Sequence, residues 1–179
     1  MKFLVSLAAL AVLIVASPAW AQSAAEKTGV NSVLGISPTT ADFVKEAAMS
    51  DMLEIETGKL AQQRGQADVK TFADDMVKDH TKTSNELKGM VTSGAVKASL
   101  PNGLDSKAQG KLDALKQEKD NTFASSYADM QVSAHKDAVS LFERYAKGGD
   151  NTELKNWANT TLPTLKHHLE MAQQLANKY

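Results

Sequence analysis

Four stretches of the chain, each about 25 residues long, carry apolar side chains at the 3.6-residue period of an α-helix, and none alternates with the period of a strand. Each stretch therefore has one apolar stripe to bury, and the only partners for it are the other three stripes. Pro38-Thr39-Thr40 opens the first, with Thr39 or Thr40 as N-cap and Asp42 in the first turn, where the helix dipole favours a negative charge. It runs to about Arg64, places Phe43, Ala47, Ser50, Glu54, Thr57 and Ala61 on one stripe, and stops at Gly65. Asp68 caps the second, which holds Val69, Phe72, Ala73, Met76, Val77, Leu87 and Val91 and ends at Gly94. The third spans about Asn121 to Lys147, with Tyr127, Val132, Val139, Phe142 and Tyr145 inward and Gly148-Gly149 as its stop. Asn151 or Thr152 caps the fourth, whose inward residues are Leu154, Ala158, Leu165, Leu169, Ala172 and Leu175. Pro163 is expected to kink or restart it, because proline removes a donor and clashes with the preceding turn. Between the second and third lies a connection of roughly 25 residues with a short helical piece around Ser106 to Lys116, long enough to cross from one end of a bundle to the other. The pattern predicts an all-α four-helix bundle over residues 39–179, with a long crossover between its second and third helices.

The first 22 residues, MKFLVSLAALAVLIVASPAWAQ, read as a secretory signal peptide. Lys2 is the positive n-region, Phe3 to Ala16 the apolar segment, and Ala19-Trp20-Ala21 the small-residue cleavage site. An uncleaved anchor is the competing reading, but neither this segment nor any other reaches the roughly 20 apolar residues that span a bilayer. Cleavage after Ala21 would leave 158 of the 179 residues, a periplasmic or secreted chain with 22–38 as a small, polar, flexible leader. Only Lys2 is lost from the charge count, so 19 basic and 21 acidic side chains remain. A net charge of −2 gives no electrostatic case for nucleic acid or an anionic membrane. With no cysteine, disulfides, thiolate sites and lipoprotein anchoring are excluded.

Chemistry concentrates on the four histidines. His80 continues the stripe of Phe72 and Met76, His135 lies between Val132 and Val139, and His168 follows Leu165 and precedes Ala172. His167, about 100° away on the same helix, faces outward. Glu54 is the acid on the corresponding stripe of the first helix. At a rise of about 1.5 Å per residue, these four inward groups all fall near mid-length of helices about 38 Å long. One glutamate and three imidazoles, one from each helix, are a plausible set for a single zinc, copper or iron ion. The same pattern also arises in a metal-free core, where each imidazole bonds a neighbouring polar group and Glu54 pairs with one of them. Asp74, Asp75 and Asp79 alternate with Lys70, Lys78 and Lys82 and read as a solvated face. Met49, Met52 and Met76 read as core fillers. No nucleophile elbow, phosphate loop or metalloprotease motif occurs, so a hydrolase or nucleotide-binding reading has nothing to rest on, and an enzyme ranks behind a binding or structural protein.

Several spaced motifs are shared with a known family. They are Phe43-Val44-x2-Ala47 through Glu54-Ile55-Glu56-x-Gly58-x-Leu60-Ala61, and Val69-Lys70-x-Phe72-Ala73-x2-Met76-Val77-x-Asp79-His80. Leu100-Pro101, Tyr127-x3-Gln131-Val132-x2-His135 and Leu162-Pro163-x-Leu165-x2-His168-Leu169 extend the match. In these motifs the chain resembles an exported bacterial family known as domain of unknown function 4142. The resemblance implies a ferritin-like bundle and a periplasmic or outer-membrane location, and its motifs include Glu54, His80, His135 and His168. It implies no activity. A di-iron centre would require Glu-x-x-His on two helices. Val77, Val132 and Leu165 stand three residues before the inward histidines, so a single ion is the metal the residues allow.

Overall fold

The computed structural model describes Glu26 and residues 29–179, so the signal-peptide reading lies outside the described residues. Among the described residues there are helices and no strand. A short α1 (Val30–Leu34) precedes four long helices: α2 (Thr40–Arg64), α3 (Ala67–Thr92), α5 (Asp120–Gly148) and α6 (Thr152–Ala176). Helix α4 (Ser106–Gln117) lies in the connection between α3 and α5.

The ends follow capping chemistry, with two departures from the sequence reading. Thr39 accepts the Asp42 amide, Asp105 the Ala108 amide and Asn151 the Leu154 amide, each satisfying an otherwise unpaired first-turn donor. Asp68 is not the cap of α3; Gln66 occupies that place, and Asp68 sits in the first turn. Gly94 ends α3 at φ 81°, a left-handed conformation in which a side chain would be strained. Gly149 does not use that freedom, since its φ is −62°. It stops α5 through space: a Cβ there would lie 2.6 Å from the Tyr145 ring. Helix α6 runs unbroken through Pro163 instead of restarting, so the lost donor is absorbed within a continuous helix.

Two buried clusters fix the directions of the helices. At one end Phe43, Leu87, Val96, Phe142, Tyr145, Leu154 and Leu165 pack together; at the other Ala61, Val69, Phe72, Leu115, Phe123, Tyr127 and Leu175 do. Each long helix therefore contributes one end to each cluster, and α2–α3, α5–α6, α2–α5 and α3–α6 are all antiparallel neighbours. The crossover must then link diagonal helices and traverse the bundle, and it does: Val96 belongs to the first cluster and Leu115 to the second. On the way, Ala108 and Leu112 of α4 pack on Leu53 of α2.

The described part of the leader packs against α5. Within 22–38, Glu26 is buried, accepts Asn31 Nδ2 at 2.9 Å and pairs with both terminal nitrogens of Arg144 on α5. Arg144 Nη1 also donates to the Ile36 carbonyl at 2.8 Å.

Candidate metal centre

Between the two apolar clusters lies a polar layer. Each long helix delivers one of its groups for the same reason: a residue three or four positions from a buried neighbour points the same way. Met76 places His80 on α3, Gln131 and Ala138 bracket His135 on α5, and Leu165 and Ala172 bracket His168 on α6. All three histidines are at least 97% buried. Their ring centroids form a near-equilateral triangle with sides of 5.6, 5.6 and 5.4 Å. One nitrogen can be chosen from each ring so that all three lie within 4.8 Å of one another.

The hydrogen bonds of these rings divide their nitrogens into two sets. His80 Nδ1 meets Asp51 Oδ1 at 2.8 Å, His135 Nδ1 donates to the Gln131 carbonyl at 3.0 Å, and His168 Nε2 meets Asp79 Oδ2 at 3.0 Å. The carbonyl can only accept, and a carboxylate likewise, so the proton of a neutral imidazole sits on the anchored nitrogen. His80 Nε2, His135 Nε2 and His168 Nδ1 are left buried with no hydrogen-bond partner. Anchoring one ring nitrogen to a carboxylate or carbonyl while the other faces inward is how metal-binding histidines are held.

The electrostatics divide the three rings. Burial pushes His135 below the usual imidazole range, and it pushes His168 down to about 4, with the charges of His135 and His80 adding to the effect there. His80 is also opposed by burial, but the Asp51 hydrogen bond and the Glu54 and Asp51 charges outweigh it and hold its pKa above the ordinary value. Burial likewise raises the Asp51 carboxyl, against the lowering effect of His80 and Thr83. Asp51 and Glu54 are both buried, and no lysine or arginine among the described residues is buried to match them.

Comparison with known proteins places this architecture. A family model described as Domain of unknown function (DUF4142) matches residues 25–175. The chain belongs to the DUF4142 family. Among curated proteins and among solved structures, nothing matches the chain.

In this DUF4142 protein the sequence-predicted residues are distributed unequally. The structure brings His80, His135 and His168 together. Glu54 is buried beside them but outside that group of atoms: its Oε2 accepts Gln131 Nε2 at 2.6 Å, and its charge acts on His80, His135 and Tyr127. Gln131 Oε1 and the Tyr127 hydroxyl, one and two turns from His135 on α5, are buried without partners, which makes a second polar patch around Glu54. His167 is exposed.

Four inward or anchoring places escaped the sequence reading. Asp51, not Ser50, completes the α2 stripe four residues after Ala47, and Ser50 is only half-buried. Gln131 and Ala138 take the inward places on α5 assigned to Val132 and Val139, which are half-buried. Asp79, read as part of a solvated face, keeps about a third of its side chain exposed yet spends its carboxylate on His168. The spacing of Asp51 from Phe43 and Ala47 was the available signal; for Asp79 none existed within its own helix.

Proposed function

We propose that this protein is an exported bundle that binds one transition-metal ion through His80, His135 and His168, for sequestration or sensing. The observation that carries the reading is the trio of buried, unpaired ring nitrogens. Leaving a buried donor or acceptor unsatisfied costs about 1–3 kcal/mol per group, so a metal-free core would hold three such penalties side by side. An ion removes all of them at once. Tetrahedral ligation at about 2.0–2.1 Å puts ligand nitrogens about 3.3 Å apart, so rings whose nitrogens lie within 4.8 Å need to close by less than about 1 Å each.

Charge favours a divalent ion. Two buried acids without a buried lysine or arginine are offset by Zn²⁺, Cu²⁺ or Fe²⁺ better than by a single proton on His80. We assign the fourth position to Glu54, whose charge acts on His80 and His135 and which would have to give up Gln131. The absence of carboxylates at Val77, Val132 and Leu165 argues against a di-iron centre. The N-terminal signal-peptide pattern supports export.

The test is metal analysis and thermal melting of the mature chain purified from the periplasm. One equivalent of metal is expected, lost in His80→Ala and His168→Ala. A chain that neither carries nor is stabilised by Zn²⁺, Cu²⁺ or Fe²⁺ would leave the metal-free network, held by the His80–Asp51 and Glu54–Gln131 bonds, as the correct reading.

A further inference from the structure

We infer that metal exchanges with solvent through the seam between α3 and α6, with His168 as the ligand that swings and Asp79 as the latch that holds it; this rests on the metal reading above. Of the three groups that anchor the histidines, Asp51 is buried and the Gln131 carbonyl belongs to a fully buried residue. Only Asp79 reaches solvent, with 31% of its side chain exposed against 3% for His168. A ring held by a solvent-exposed carboxylate can leave without breaking a buried bond first; the other two cannot.

The packing selects the same place. Helices α2 with α3 and α5 with α6 are closely packed, whereas α2–α5 and α3–α6 are looser. The α2–α5 side is covered by α4, which lies on α2 and touches α5, and by α1, which touches α5. No other described helix packs closely on the α3–α6 side, which the crossover bridges at its Asn151 end. An open groove of about 350 Å³ already lies along that side, between Asp68, Thr71 and Phe72 of α3 and Met171, Gln174 and Leu175 of α6, with Lys178 beyond α6 paired to Asp68 at its edge. Asp75 stands four residues beyond Thr71 and four before Asp79, so the row that leads from the groove to the latch passes through one acid and ends on a second. That row would draw a divalent cation toward His168 and away from the apolar surface on either side.

The experiment uses the Zn²⁺-loaded mature chain and two rates: Zn²⁺ extraction by excess chelator, and Zn²⁺ uptake by the metal-free protein. Asp79→Ala should speed extraction at least tenfold. Asp75→Lys, with no contact to a histidine, should slow uptake at least threefold with the dissociation constant unchanged. Asp51→Asn should speed extraction less than Asp79→Ala, because its ring has no route outward, and His167→Ala should change neither rate. Melting curves of the metal-free variants confirm that each is folded. Rates within twofold of wild type for both Asp75→Lys and Asp79→Ala would overturn the route. So would an Asp51→Asn effect as large as that of Asp79→Ala. A wild-type chain that binds no Zn²⁺, Cu²⁺ or Fe²⁺ would instead defeat the metal reading itself.

Discussion

At the scale of single residues, adjacent histidines make the sharpest comparison. His168 is buried and anchored to Asp79, while His167 on the next position is exposed. His167→Ala should change stability by less than about 0.5 kcal/mol, as surface changes do. His168→Ala should cost about 1–3 kcal/mol by emptying a buried site and freeing the partner of its neighbours. Thermal melts of the two variants in chelator check both, and an equal loss would mean the α6 register is wrong. A second residue-scale prediction concerns Glu46. Burial, then the Glu26 charge, raises its pKa from 4.5 to about 7, against a smaller lowering by Arg144. A carboxyl raised in the fold binds its proton more tightly there than in the unfolded chain. Its stabilisation is therefore complete below pH 4.5 and is lost as pH rises through about 7. Glu46 is partly exposed, so the effect is discounted for solvent screening to about 1 kcal/mol or less. Glu46→Gln should melt above wild type at pH 8 and level with it at pH 4, and a gain that is the same at both values would rule out this titration as its source.

At the scale of elements, two glycines inside helices separate packing from propensity. Gly58 lets α2 approach α3: a Cβ there would lie 2.7 Å from Val77 Cγ2 and 3.4 Å from the Ala73 carbonyl. Gly58→Ala should therefore destabilise by about 1–3 kcal/mol through overpacking, less if Val77 rotates. Gly110, in the exposed face of α4, has nothing within 4 Å of its would-be Cβ. Gly110→Ala should stabilise by about 0.4–1 kcal/mol, since it restricts only the unfolded chain. Denaturant midpoints read both signs, and stabilisation by both substitutions would show that α2 and α3 are not in close approach at Gly58.

For the whole molecule, the balance lies between two apolar clusters and the polar layer that interrupts them. Continuous apolar packing there would be the simpler way to hold a bundle, so the buried acids and imidazoles need a compensating interaction. A metal ion at a free concentration of about 100 times its dissociation constant would add about 2.7 kcal/mol. For a chain of this size that is a rise in Tm of about 5–10 °C, reversed by chelator. Calorimetry with one equivalent of Zn²⁺, Cu²⁺ or Fe²⁺ measures it, and melting temperatures unchanged by all three would remove the compensation.

The sequence alone determined the helical class, the bounds of α2 and the start of α6 to within a residue, and the inward direction of His80, His135 and His168 and outward direction of His167. Each of these depends on a 3.6-residue period or a cap, and both are local properties of a short stretch. The burial of Glu26, the Gly149 contact and the choice of Gln131 over Val132 depended on which side of a helix its neighbours press. Only the tertiary structure decided the partners of the imidazoles. Asp51 and Asp79 reach His80 and His168 across 29 and 89 residues of chain, and those bonds follow from how α2, α3 and α6 are rotated against one another. Neighbouring positions on a helix differ by about 100°, so a stripe read by period fixes a face but not which of two adjacent polar residues meets the next helix. The inward nitrogens were likewise invisible in the sequence, because a ring's free side is set by what holds its other side.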